Sequence, residues 1–145
     1  MASTSTYLNF DGTTEAAFTF YKSVFGTDFV MGFMRMGDVP AEAGQPELSD
    51  EQKRLVVNVG LPITGGHILM GTDATSSMGF TLVPGNNVHI SVSPDSRVEA
   101  DALFASLSEG GKVEMPLTVM FWGDYYGSLV DRFGTQWMVS THATE

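Results

Sequence analysis

Any chemistry in this chain must come from a small set of side chains. There are three histidines, His67, His89 and His142, and no cysteine, so thiolate chemistry and disulfides are both excluded. His89 is the most pointed of the three. Val88, Ile90 and Val92 read as the buried side of a strand, which turns His89 to the other side with Asn87 and Ser91. His67 beside a turn and His142 near the C-terminus read as surface residues. A nucleophile–base pair would need Ser or Thr next to a histidine that a carboxylate orients. Ser91 and His89 share a strand face, but side chains two residues apart are about 7 Å from each other, beyond hydrogen-bond range. Nothing marks a Ser/His/Asp set, and paired carboxylates at fixed spacing are missing.

What remains is soft and aromatic. Phe33, Met34, Met70, Met120, Phe121, Trp122, Tyr125, Tyr126 and Met138 fall in segments able to line a cleft, with Tyr7, Asn9, His89, Gln136 and Asp124 as polar contributors. Small-ligand pockets are largely apolar with a few placed polar groups, and methionine adapts to varied shapes. The competing reading of each aromatic is core or subunit interface. The net charge of −10 favours a neutral or cationic ligand, with Arg35 and Arg132 as local exceptions.

The elements that would position these residues occur twice. Residues 7–26 read as a strand, a turn and an amphipathic helix ending in glycine, and residues 88–111 repeat that order at an offset of about 80 residues. In the first copy Leu8 and Phe10 alternate with Tyr7 and Asn9. Asp11 or Thr13 is placed to cap a helix whose apolar face is Ala17, Phe18, Tyr21, Val24 and Phe25, with Gly26 as its stop. Strands are predicted over 29–36, 54–63 and 67–72, the last two joined by Gly65-Gly66. The acidic stretch 37–52 reads as a mobile surface loop with a turn of helix after Ser49. In the second copy Ser96-x-x-Glu99 is a capping box for a helix burying Ala100, Leu103, Phe104 and Leu107. Strands are predicted over 118–122, 125–130 and 135–141, with Asp131–Gly134 a tight turn. The fold class is α+β: two βαβββ modules forming a curved sheet with a cleft. The 145 residues read as a single domain of two half-modules, about 5–75 and 86–142, with a linker at 76–85.

Composition narrows the partners. With 43% hydrophobic and 17% charged residues the chain is that of a folded globular protein. Seven scattered Lys and Arg against 17 Asp and Glu exclude a phosphate-neutralising face and an anionic membrane surface. No apolar run approaches the roughly 20 residues that span a bilayer. No leader is visible in MASTSTY, so a cytoplasmic protein is expected.

The strings YLNFDG (7–12), FYKSVFG (20–26), LSEGGKVEMPL (107–117), FWGDYYG (121–127) and DRFGTQWM (131–138), in this order and with the repeat, resemble the vicinal oxygen chelate superfamily, and within it the PhnB-like branch. That superfamily includes glyoxalase I, extradiol dioxygenases and antibiotic-binding resistance proteins. The resemblance implies paired βαβββ modules around a U-shaped cleft and a homodimer, but no particular reaction. Some members of the branch carry a ubiquinone-pathway methyltransferase label. Here no glycine-rich loop follows a strand in a βαβ setting to hold a nucleoside-type methyl donor.

The resemblance also implies a divalent metal held by His, Glu or Gln from the first, fourth, fifth and eighth strands. Those places carry Thr6 or Asn9 on the first strand, Leu69 to Gly71 with Asp73 just beyond on the fourth, His89 or Asn87 on the fifth, and Met138 on the eighth. A thioether in place of a carboxylate is a poor ligand for a hard ion. His89 and Asp73 are the weak metal candidates, with Gln136 as a neutral third. The expectation is therefore a protein without the superfamily metal or another cofactor, whose mostly apolar cleft binds a small organic molecule through Tyr7, Asn9, Phe33, Met70, His89, Phe121, Trp122, Tyr125, Gln136 and Met138. The balance is against an enzyme, and no catalytic residue is assigned. One alternative is a glyoxalase-type lyase or dioxygenase with a noncanonical metal site. Another is a non-catalytic interaction protein whose cleft is filled by its own side chains or a partner.

Overall fold

Along β1 (Thr6–Phe10) Thr6, Leu8 and Phe10 face one way while Tyr7 and Asn9 face water. The computed structural model describes residues 1–145, and its contacts divide them into two units, Met1–Leu82 and Val83–Glu145. In the first, β1 is followed by α1 (Thr14–Phe25), β2 (Met34–Arg35), α2 (Asp50–Arg54), β3 (Val56–Pro62) and β4 (Ile68–Asp73). The sheet order is β1-β4-β3-β2, with β1 and β4 parallel and the other pairs antiparallel. α1 packs on β3 and β4, burying Ala17, Phe18 and Tyr21 with Val59, Leu61 and Leu69. The Phe18 ring lies so close to β4 that a Cβ on Gly71 would stand 2.4 Å from its Cε2.

The second unit repeats the plan. β5 (Ile90–Val92), α3 (Arg97–Ser108), β6 (Lys112–Val119), β7 (Tyr125–Val130) and β8 (Gln136–Thr141) form a sheet ordered β5-β8-β7-β6, again with the first and last strands parallel. Ala100, Phe104 and Leu107 of α3 are buried with Val92, Leu129, Trp137 and Val139, while Leu103 is only half-buried. This is the α+β, twice-βαβββ plan read from the sequence. No helix is long and apolar enough to cross a membrane.

The two helices begin differently. Neither Asp11 nor Thr13 caps α1. Asp73, at the end of β4, does so: its Oδ1 accepts from the Thr14 N–H (3.1 Å) and hydroxyl (2.7 Å), and its Oδ2 from the Val56 N–H (2.8 Å). α3 starts locally, with Ser96 Oγ accepting from the Glu99 N–H, while the Glu99 carboxylate reaches back to Asp95 N–H rather than to Ser96. The Asp131–Gly134 turn is pinned by its own carboxylate. Asp131 Oδ1 accepts from Phe133 and Thr135 N–H, and Oδ2 from Trp137 Nε1 at 2.8 Å.

Three expectations change. The strand over 29–36 shrinks to Met34–Arg35, because Gly32 (φ +76°) takes a left-handed turn in the middle of the run. The strand expected at 118–122 is β6 over Lys112–Val119; Pro116 is tolerated because β6 is an edge strand with irregular register there. Val88 lies outside β5 and is 70% exposed. Segment 37–52 is an exposed surface loop over 37–47, as expected, and its Val39, Pro40 and Leu48 with Met36, Lys53 and Met78 line a pocket of about 440 Å³. The helical turn after Ser49 is present as α2, with a reciprocal Ser49/Gln52 cap.

Candidate functional site

In each unit one sheet face is covered by a helix and the other is not, and the strand pairings decide which residues take the second face. In the first unit Gly71, Leu8 and Val59 pair across β4, β1 and β3 beneath Phe18, so their alternates face away: Tyr7 beside Met70, Asn9 beside Thr72, and Asn58 beside Met34. Polar groups there bind one another. Asn58 Nδ2 donates to the Tyr7 hydroxyl at 2.8 Å, and Ser5 Oγ to Met70 Sδ at 3.6 Å. Phe33 lies before β2, tilted against Phe29 at 4.8 Å, with the Arg35 guanidinium over its ring.

In the second unit Val92, Val139 and Gly127 pair beneath Phe104, so the helix-free face is the row Ser91, Met138, Ser128 and Met115, with Tyr126 and Ser140 alongside. His89, just before β5, turns to this face, and its Nε2 lies 3.2 Å from Glu114 Oε1. The two residues come from opposite edges of a four-stranded sheet, three strand spacings or roughly 14 Å apart if it were flat. Their side chains meet across this face. Gln136 is buried, and its amide donates to the Val88 carbonyl at 2.7 Å, fastening the backbone next to His89.

The predicted residues therefore divide. Tyr7, Asn9 and Met70 share one face, and His89, Gln136 and Met138 share another. Tyr125 is on the helix side: its hydroxyl donates to Asp101 of α3 at 2.6 Å and Arg97 lies over its ring. That hydrogen bond, followed by burial and the Asp101 charge, holds the Tyr125 hydroxyl above its ordinary pKa against a smaller opposing effect of Arg97. Phe121 and Trp122 are in the β6–β7 turn, edge to face at 4.8 Å, with Trp122 Nε1 bound to Asp124, which also pairs with His142. Phe121 is 98% exposed.

Two partners were not found from sequence. Glu114 falls before the strand expected at 118–122 and 25 residues from His89, so nothing in the sequence brings the two together. Asn58 did give a signal, as the lone amide in the apolar run RLVVNVGLPI.

As a metal site the donor set is thin. Neither unit gathers three His, Asp or Glu side chains. Both oxygens of Asp73 are taken by backbone and hydroxyl donors. Met138 stands in the row beside Ser91 where the resemblance calls for a carboxylate. His89 has Glu114 as its one acidic neighbour. These residues do not fit a divalent ion that needs three or four convergent donors.

A separate polar cleft of about 720 Å³ opens beside the start of α1, lined by Asp11, Glu15, Arg35, Arg54 and Asp73 among others. The Arg35 guanidinium is already committed, donating to Glu15 and to the Arg54 carbonyl.

A family model described as 3-demethylubiquinone-9 3-methyltransferase matches residues 2–140. Protein YjdN of Escherichia coli K12 is 26% identical over 94% of this chain and 92% of its own length. The crystal structure of protein PA1353 from Pseudomonas aeruginosa is 31% identical, covers 99% of both chains and superposes with a TM-score of 0.82. Two further structures share the fold: a PhnB protein from Bacillus cereus (24% identity, 97% of this chain and 99% of that one, TM-score 0.72), and a glyoxalase/bleomycin resistance protein/dioxygenase family enzyme from Burkholderia phytofirmans (17%, 94% and 96%, 0.62).

Proposed function

The chain belongs to the 3-demethylubiquinone-9 3-methyltransferase family, the PhnB-like branch of the vicinal oxygen chelate superfamily, and on that premise we propose that it binds a small, largely apolar organic molecule without the superfamily metal. The observation that carries this reading is the make-up of the two helix-free sheet faces. Each sets methionines (Met34 and Met70; Met115 and Met138) among a few polar groups such as Tyr7 with Asn58 and His89 with Glu114. Apolar surface with sparse, oriented polar groups is what a small-molecule site offers. The donor set supports the metal-free part.

Methyl transfer finds little support in these residues. The turn from β1 into α1 has a single glycine, and the helix's leading N–H, which could otherwise meet an anionic group, is already bound by the Asp73 carboxylate. The reading includes a homodimer, since Met31 (93% exposed) and Phe121 are large apolar side chains left in water. Light scattering on the purified protein tests it.

The decisive test is thermal unfolding against a panel of small aromatic and aliphatic compounds, with and without chelator, alongside elemental mass spectrometry. A ligand at about a hundred times its Kd should add about 2.7 kcal/mol, and chelator should change nothing. Near-stoichiometric zinc, nickel, manganese or iron, removed by chelator with loss of stability, would overturn the metal-free reading and favour a metalloenzyme.

A further inference from the structure

We propose that His89 is a general base, positioned by Glu114, which removes a proton from a small neutral carbon acid on the helix-free face of the second unit. This rests on the reading of that face as a small-molecule site, and adds an activity to it.

The argument starts from the hydrogen bond. A carboxylate oxygen can only accept. The 3.2 Å contact between His89 Nε2 and Glu114 Oε1 therefore calls for a proton on Nε2, and in the neutral ring the lone pair is then on Nδ1. Nδ1 makes no hydrogen bond within the chain. A base needs this arrangement: one nitrogen held by an orienting acid, the other open. Both attachments of His89 are fixed, its ring by Glu114 and the backbone beside it by the Gln136 amide on the Val88 carbonyl. A positioned base loses little freedom on reaction. The imidazole side chain keeps only 20% of its exposure, so it works partly shielded from water.

The surroundings set the substrate class. An anion would meet Glu114, whereas Met115 and Met138 offer apolar contact and Ser91 and Ser128 neutral hydroxyls. The compatible substrate is an uncharged molecule with one acidified C–H, such as a carbonyl compound or an electron-poor heterocycle. The step balances without metal, oxidant or reductant. The proton passes from carbon to Nδ1, the C–H electron pair moves into the adjoining bond, and the imidazolium returns its proton to water.

5-Nitrobenzisoxazole is a direct probe. Loss of its C3 proton to a base forms the nitrile, breaks the N–O bond and releases a coloured phenolate. With chelator present, the wild-type protein should turn over this probe about 100-fold faster than His89→Ala. Free imidazole, corrected for its own background rate, should restore part of the loss. Glu114→Gln should lower kcat with KM held, since Glu114 orients the base and does not hold the probe. Thermal unfolding with and without the probe accompanies each rate. Turnover no faster than equimolar free imidazole, by protein that the probe stabilises, would overturn the base and leave the binding site standing. Absence of both turnover and stabilisation would overturn both. A rate unchanged in His89→Ala would remove His89 from the role. Should that variant not fold, an unchanged kcat in Glu114→Gln would overturn the proposal.

Discussion

Replacing Asp73 with alanine is the sharpest test of how the first unit is held together. The carboxylate accepts three hydrogen bonds, two from Thr14 and one from the Val56 N–H, and both of those residues are buried. A hydrogen bond to a charged acceptor is worth about 1.5–3 kcal/mol, and a buried donor left alone costs its desolvation as well. Simple addition would overshoot. The cleft of about 720 Å³ adjoins both Asp73 and Val56, so water can reach some of the orphaned donors. The expected loss is about 3–4 kcal/mol, or roughly 10 °C in Tm for a chain of this size. Asp73→Asn keeps one acceptor oxygen but aims an amide donor at the other donors, so it should lose about 2 kcal/mol. Urea denaturation read by circular dichroism, with metal content measured in parallel, decides it. A loss below about 1 kcal/mol for the alanine variant would refute the reasoning, because three part-buried hydrogen bonds to one carboxylate should be worth more than that. So would unchanged stability with loss of a bound metal, which would return Asp73 to the ligand role the sequence allowed.

Other outcomes follow from the same structure. Gly71→Ala forces a methyl to within 2.4 Å of the Phe18 ring; the helix must shift, at about 1–3 kcal/mol measured by chemical denaturation. Asp131→Asn frees a donor on the Trp137 indole or on the turn backbone, and should cost about 2 kcal/mol and change the near-ultraviolet circular dichroism of Trp137. Tyr125→Phe removes the bond to Asp101. The folded-state pKa of Tyr125 is raised, so its stabilisation is complete below the unfolded value of about 10 and disappears as pH rises through the folded value. The wild-type protein should therefore exceed the variant by about 0.5 kcal/mol at neutral pH, and the difference should vanish in strong alkali.

What the sequence could reveal followed from how locally each feature is encoded. The apolar faces of both main helices and the Asp131–Gly134 turn rest on residues within about a dozen positions of one another, and they are legible, as is the repeat, because each copy is a local pattern. Strand ends were harder. Gly32 and Pro116 are local signals whose effect depends on position in the sheet: one cuts a strand short, while the other is absorbed because β6 is an edge. Side-chain partnerships across long separations were not legible at all. Asp73 is a weak ligand candidate only through the fourth-strand position that the resemblance implies, and nothing near it in sequence shows that it caps α1 instead. Glu114 is 25 residues from His89 in sequence, and only the folded second sheet brings the two together. Even the faces were half legible: alternation placed His89 and Met138 on the same side, but Tyr125 went to the helix side because its register is set by pairing with Thr141.

The unlike helix starts in the two units bear on how far each helix depends on the rest of its unit. α3 can begin from its own neighbourhood, since Ser96 is three residues from the N–H it serves. α1 cannot, since the acceptor it uses is 59 residues further along. Closing such a loop costs entropy before it brings any contact, and a helix of this length is marginal alone. The start of α3 is therefore secured by its own turn, whereas the start of α1 is secured only where β4 lies beside β1. Two copies of one plan thus anchor their helix starts at different range: one within three residues, the other across 59.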